Sequence, residues 1–323
     1  MPIYGVDIGG TKCAVCVADA DGRPRELERF ATLDPAASIA RIADIINAHR
    51  KAHPPLVAPV IGIACGGPLD AEAGVILSPP NLPGWDQIPI VAELERRCEA
   101  RAALMNDANA DALAEGRHGA GRGCRTFIFL TMGTGMGAGL VINGRLHTGA
   151  SGDAGEVGHL RLADNGPVGF GKAGSFEGFC SGGGIARLAL LRAPDHPHGG
   201  PWRDRPPTDI SAATLAVAAR EGDPFARAIW HEVGTRLGQA LALLVDVLNP
   251  ERIIIGSIFV RCPDLLVAPM QHALLREALP SAARRCAVVP AALGEQLGNF
   301  AALAVAEHAL SLDPSTPPFR HDD

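Results

Sequence analysis

Apolar runs of strand length and stretches of helical period take turns along the chain, which predicts an α/β layer fold. Residues 3–7 (IYGVD) read as a short buried strand. Residues 9–12 turn the chain, and 13–18 (CAVCVA) form a second strand before the hairpin signal Asp21-Gly22. Ile39, Ile42, Ile45 and Ile46 fall at helical spacing within residues 36–49. Residues 60–64 make a strand ending in the turn Gly66-Gly67-Pro68, and residues 78–85 (SPPNLPGW) make a loop dense in proline and glycine. A helix over 90–100, a strand over 102–105 and a helix over 108–116, opening after Asn106-Asp107, complete this part.

A second unit begins near Gly119. It has a strand over 126–131, a glycine loop over 133–139, a strand over 140–142, the turn Asn143-Gly144 and a return strand over 145–148. Strand, glycine turn, strand is also the logic of residues 3–18, so the chain carries an internal repeat. Residues 194–207 read as an exposed Pro/Gly/His loop with His196 and His198 solvated. Helices near 211–221, 223–249 and 264–278, a strand over 252–255, a helix over 299–312 and a frayed tail over 314–323 follow. The expected domains are residues 1–118 with a returning 300–317, and residues 119–299.

Composition narrows the function. The 323 residues suit two domains at ~150 residues each. Hydrophobic residues make up 47% and charged residues 20%, which excludes a disordered chain. The net charge of −6 and the single tyrosine argue against a nucleic-acid binder. The N-terminus shows no secretion signal and no window spans a membrane, so a cytoplasmic location is expected. Eight scattered cysteines form no framework. Cys13 and Cys16 match CxxC, but i and i+3 on a strand face opposite ways, so they read as small apolar residues.

Four motifs can carry chemistry. Asp7 is followed by Gly9-Gly10-Thr11-Lys12. Adjacent glycines let backbone N–H groups converge on phosphate oxygens, and the Asp7 carboxylate suits Mg2+ held through water. The spacing is not that of a Walker A loop, and a plain hairpin is the simpler reading of the tetrapeptide alone. Gly133–Gly139 contains a GxGxxA match, but a strand rather than a helix follows, which rejects a dinucleotide fingerprint. It remains a second phosphate-approach turn, with the Thr134 hydroxyl as a donor. Asn106 and Asp107 stand where a strand opens into a helix. Capping explains such residues by itself, while the position also suits Asp107 as a general base. Glu156, His159 and Glu177, between glycines, suit sugar hydroxyls or a metal, the metal needing thiolates nearby that residues 166–177 do not offer. Asn81 in its Pro/Gly loop also suits sugar hydroxyls, although turns alone also use these residues.

The order of these segments is more specific than any one of them. DIGGTK at 7–12, IACGGPLD at 63–70, PNLPGW at 80–85, NDANADALAE at 106–115, GTGMGAGLVINGRLHTG at 133–149 and GEVGH at 155–159 form one series. That series resembles the ROK family of bacterial sugar kinases and sugar-responsive repressors, from about Tyr4 to about His308. The resemblance implies a duplicated actin/hexokinase-like (ribonuclease H-like) fold of two domains with a central cleft. It implies Asp107 as the base that deprotonates a sugar hydroxyl, usually the 6-hydroxyl of a hexose. By position, Asp7, Gly9, Gly10, Thr11 and Lys12 match the first phosphate segment, and Thr134 and Gly135 the second. Gly66, Asn81, Asn106, Glu156, His159 and Glu177 match the sugar contacts, and Gly256 ends the strand beside the adenosine. ATP, Mg2+, a sugar and a homodimer are implied as partners, without nucleic acid or membrane.

Two departures stand out. The family's zinc segment after the GH has cysteines where this chain has Val168, Phe170 and Ser175, so no structural zinc is expected, with Val168 and Phe170 packing in its place. The family's late Ile-Gly-Gly-Gly reads Ile255-Gly256-Ser257-Ile258 here. The leading expectation is an ATP-dependent hexose kinase, glucose by default. The alternatives are an N-acylhexosamine kinase such as one for N-acetylmannosamine, or a non-catalytic sugar-binding protein. A repressor would need an N-terminal helix-turn-helix, and the first phosphate strand begins at Ile3.

Overall fold

The computed structural model describes residues 1–54 and 57–312. The tail over 314–323 lies outside the described residues. In chain order the first elements are β1 (Ile3–Ile8), β2 (Lys12–Ala18), β3 (Pro24–Ala31), α1 (Pro35–Ala52), β4 (Val60–Cys65), β5 (Leu69–Asp70), β6 (Val75–Ile76), α2 (Ile90–Cys98), β7 (Arg101–Asn106) and α3 (Asp107–His118). Next come β8 (Phe127–Leu130), β9 (Ala138–Ile142), β10 (Arg145–His147), β11 (Val168–Gly169), β12 (Lys172–Ala173), α4 (Phe176–Cys180), α5 (Gly182–Arg192), α6 (Gly200–Arg203), α7 (Ala212–Glu221) and α8 (Pro224–Leu248). The last are β13 (Arg252–Ile255), α9 (Ile258–Arg261), α10 (Pro263–Glu277), α11 (Pro280–Ala283), β14 (Ala287–Pro290) and α12 (Leu297–Leu312). These elements sort into two compact units, one of residues 1–122 with the described chain from Ala292 onward, the other of Gly123–Ala291. The return to the first unit thus begins before residue 300, because Glu115 already binds the backbone at Ala292 and Leu293.

The first unit is built on a five-stranded sheet in the order β3-β2-β1-β4-β7. Neighbours are antiparallel from β3 to β1 and parallel from β1 to β7. Strand alternation gives the sheet two different faces. Tyr4, Val6, Ile8, Ile61 and Ile63 pack with Ile39, Ile42 and Ile46 of α1 and with Ile90 and Leu94 of α2. The opposite face presents Gly5, Gly62 and Ala64, small enough for α12 to lie directly on the sheet. A Cβ on Gly62 would run into the Ala302 carbonyl and the Ala306 amide.

The second unit repeats the plan, with a sheet in the order β10-β9-β8-β13-β14. It is again antiparallel up to the centre and parallel beyond it. The internal repeat expected from strand and glycine turn therefore extends to whole sheets. Helix α8 fills the core, with Phe225, Trp230, Val233, Leu237 and Leu241 buried. Asp223 caps its first turn by accepting from Ala226 N at 2.8 Å, and Asn249 ends it in a left-handed conformation.

Two expectations fail here. Residues 194–207 are not simply an exposed loop, since α6 lies within them and Trp202 is fully buried, its Nε1–H donating to Asp223 Oδ2 at 2.9 Å. His196 is half-buried, its ring edge-on to Phe225 at 5.2 Å between centroids, whereas His198 is exposed. Where the sequence reading assigned no element, Phe176–Cys180 and Gly182–Arg192 are helices although glycines crowd their sequence. The Ser175 and Ser181 hydroxyls start them by accepting from Gly178 N and Gly184 N.

Candidate functional site

In the first unit the candidate residues gather at the C-terminal ends of parallel strands, where ligands of α/β sheets bind. Asp7 lies near the end of β1, Gly66 just past β4, and Asn106 and Asp107 at the junction of β7 with α3. Asn106 caps α3, its Oδ1 accepting from Ala108 N at 3.0 Å. Asp107 Oδ1 accepts from the same amide at 2.8 Å. Its Oδ2 faces Gly66, lying 3.6 Å from where a Cβ on that glycine would sit. The Asp107 side chain keeps an open side toward solvent while the protein around it raises its proton affinity. Asp7 is pushed up to about 6, first by burial and then by the Asp107 charge.

Asp111, absent from the sequence expectations, belongs to the same group. Burial and the charges of Asp107, Asp7 and Glu115 raise it well above the usual carboxylate range. The signal for it was present: it stands one helical turn beyond Asp107, on the same face of α3.

The turn after β1 is built for close approach. Gly9 N donates to Lys12 O at 3.0 Å, and Thr32 Oγ1 fixes the turn by donating to Gly9 O at 2.6 Å. Gly10 sits against the main chain of Asn81, where a side chain would collide with the Asn81 carbonyl. Buried Leu82 and Trp85 pin the proline-rich loop, the Trp85 Nε1–H reaching Leu33 O at 3.2 Å, and leave Asn81 exposed. Thr11 and Lys12 are exposed at the same turn.

In the second unit the glycine loop between β8 and β9 is held from inside. Thr131 N donates to Gly137 O at 3.0 Å, and Gly137 N donates back to Thr131 Oγ1 at 2.9 Å. Glu177 Oε2 accepts from Met136 N at 3.1 Å, so Glu177 braces this loop as well as standing near Gly135. Thr134 is left exposed at the tip. The first turn of α5 abuts the loop, Gly182 N donating to Gly133 O at 2.8 Å. Gly256 follows β13, and Ser257 Oγ lies 3.5 Å from the position of a Cβ on Gly133. Ser257 adopts φ +50°, a strained conformation for a non-glycine residue. Ile258 and Phe259 turn inward and are buried in the core, away from the strand end.

Glu156 precedes, and His159 ends, a short 3-10 turn over Val157–His159. That turn is tied to β9 by Ala138 N donating to Gly155 O at 2.8 Å. Glu156 is exposed and His159 half-buried. Val168 and Phe170 do not pack inside, being 47% and 67% exposed. Ser175, the third former cysteine position, is a buried helix cap. The segment is held instead by Lys172 Nζ donating to the His159 carbonyl at 2.8 Å and by Arg161 donating to Ala173 O at 2.9 Å. The Phe170 ring stands edge-on to His159 at 5.2 Å. Among the described residues no three His, Cys, Asp or Glu side chains form a metal-ligand group. No helix among the described residues is long and apolar enough to cross a membrane.

Two sheets of one topology, each with a glycine turn behind its first strand, define the α/β sugar-kinase class. The crystal structure of a ROK hexokinase from Thermus thermophilus matches with a TM-score of 0.80 at 29% identity, covering 96% of this chain and 99% of that one. A ROK family glucokinase from Streptomyces griseus, solved with glucose and AMPPNP, matches with a TM-score of 0.75 at 31% identity over 95% of this chain and all of that one. The glucokinase of Thermotoga maritima is 33% identical over 94% of this chain and 97% of its own. The ROK family model matches residues 3–309, and the chain belongs to that family.

Proposed function

We propose that this chain is an ATP-dependent glucokinase that transfers the γ-phosphoryl group of ATP to the 6-hydroxyl of glucose. The observation that carries the mechanism is Asp107, placed at a strand–helix junction with Oδ1 bonded to the helix amide and Oδ2 turned toward Gly66. Asp107 takes the proton of the sugar hydroxyl as its oxygen attacks the γ-phosphorus. The bond from that phosphorus to the β–γ bridging oxygen breaks, and ADP leaves. Phosphate oxygens are assigned to Gly9, Gly10, Thr11 and Lys12 in the first unit and to Thr134 and Gly135 in the second, and the adenosine to Gly256. The sugar, whose hydroxyls both donate and accept, is assigned to Gly66, Asn81 and Asn106 of the first unit and to Glu156, His159 and Glu177 of the second. A polar pocket of this kind penalises any sugar that leaves one of its groups unpaired.

Mg2+ fits the chemistry of the donor set. Asp7 and Asp107 repel one another and burial raises both, so a divalent cation is a matched counter-charge. Asp7 would hold it through water, and when bound the ion neutralises phosphate charge. We place the enzyme in the cytoplasm, a reading supported by its eight free cysteines. We expect a homodimer, which light scattering tests.

The test is ADP release with Mg-ATP across a panel of hexoses and N-acylhexosamines. Glucose-stimulated turnover supports the proposal, and preference for an N-acylated amino sugar would transfer the assignment to that substrate. Asp107→Asn should lower kcat by roughly 10²–10⁴-fold while glucose binding persists. Full activity in that variant removes Asp107 from its role.

A further inference from the structure

A basic hollow stands out among the described residues of this acidic chain. A cavity of about 420 Å3 in the first unit is lined by Arg23, Arg117, His118 and Arg122, with Asp21 and Gln296 beside them and Leu293 and Phe300 as apolar wall. We propose that this hollow binds the phosphate group of a small molecule, either free phosphate or a phosphate ester of a sugar, through Arg23, Arg122 and His118, with Arg117 behind them.

The charge arrangement is the first argument. Several arginines carry an acid partner, as in Arg29–Glu26, Arg97–Glu93, Arg192–Glu232 and Arg220–Asp264, while others, such as Arg25 and Arg236, bond uncharged groups. Arg117 has one too, Glu307 of α12. For Arg23 and Arg122 no ion pair forms among the described residues, although Asp21 lines the same hollow. Guanidinium groups match phosphate oxygens in pairs, and a concave surface with three arginines against one aspartate gathers anions from solution.

A structural explanation covers only part of the set. Arg117 and His118 sit in the last turn of α3, where cations suit the exposed carbonyls. Arg23 precedes β3 and Arg122 follows α3, so neither serves a helix end. The apolar side is equally specific. Phe300 packs its ring against His118 at 5.0 Å between centroids, giving the carbon skeleton of an ester a surface to lie on. Asp21, at the rim, is an acceptor for a sugar hydroxyl.

The hollow is separate from the catalytic residues. Asp107 begins α3 and His118 ends it, which at a rise of ~1.5 Å per residue puts the two about 17 Å apart along the axis. A small phosphate bound at the far end touches none of the residues proposed for phosphoryl transfer.

The test is calorimetric titration of inorganic phosphate, and separately of glucose 6-phosphate, into the full chain at low salt, with glucose and AMPPNP filling the catalytic site. Wild type should bind at least one of them. Arg23→Ala/Arg122→Ala should bind it at least ~10-fold more weakly with kinase turnover unchanged. Arg96→Ala/Arg276→Ala, which removes two exposed arginines elsewhere, should bind like wild type. Stronger binding of glucose 6-phosphate identifies the ester as the ligand, and equal binding identifies the phosphate group alone. No binding at millimolar concentration, equal binding by the double variant, or equal loss in the charge-matched control overturns the proposal.

Discussion

Glu115 gives the sharpest test of how the first unit is held together. Its side chain is fully buried on α3 and accepts three backbone hydrogen bonds: Ala120 N at 2.6 Å on Oε2, and Ala292 N and Leu293 N at 2.9 and 3.0 Å on Oε1. One carboxylate thus closes the turn after α3 and receives the chain as it returns from the second unit. Hydrogen bonds to a charged acceptor are worth about 1.5–3 kcal/mol each, and Glu115→Ala removes all three from these part-buried amides. Water entering the vacated space recovers part of that, so Glu115→Ala should cost about 4–6 kcal/mol. Glu115→Gln keeps the shape and the two bonds on one oxygen but sets an amide donor against Ala120 N, and should cost about 2 kcal/mol. In urea, at an m-value of about 2–3 kcal/mol/M, the alanine variant should lose about 2 M of midpoint for the transition of this unit. A loss under about 1 kcal/mol for alanine, or a glutamine variant as unstable as alanine, would refute the reasoning.

Other outcomes follow from the same geometry. Burial raises the Asp107 pKa, and the base works deprotonated, so kcat/KM should rise with pH through a midpoint above the ordinary 3.8. A pH–rate profile with its acid limb at or below that value would count against Asp107 as the base. Chelation of trace zinc should leave both turnover and melting temperature unchanged, since Lys172, Arg161 and Ser175 hold the segment after His159. Activity lost to a chelator and restored by zinc would contradict this. Gly62→Val drives a side chain into the backbone of α12 and should destabilise by about 3 kcal/mol or more, as chemical denaturation will show.

The alternation of apolar strands and glycine turns made the inner strands of both sheets legible, while the edge strands β3 and β14 were not read. Asp7, Asp107 and the glycine turns could be named because strand ends expose few residues, and acids and glycines there are the types that suit phosphoryl transfer. What escaped has physical reasons. Strand β3 (PRELERFA) is a charged edge strand, exposed along much of its length, so no apolar alternation marks it. Helices α4 and α5 hide behind glycines that read as loop. Gly178 and Gly184 are required there by close packing, since a side chain on either would meet backbone carbonyls. Val168 and Phe170 were misplaced because apolar character alone does not say which way a two-residue strand and its turn face. Asp111 was passed over because an acid inside a helix usually faces water.

The smallness of Gly5 and Gly62 has a consequence for the order in which the protein is made. The helix that lies on them, α12, follows the whole second unit in sequence, while β1 and β4 precede it. The second unit is continuous in sequence and can fold as soon as it leaves the ribosome. The first unit must wait with one side of its sheet bare until α12 has been made. The sheet begun before the second unit is therefore completed after it, and through that interval its bare face is apolar surface for a chaperone to cover.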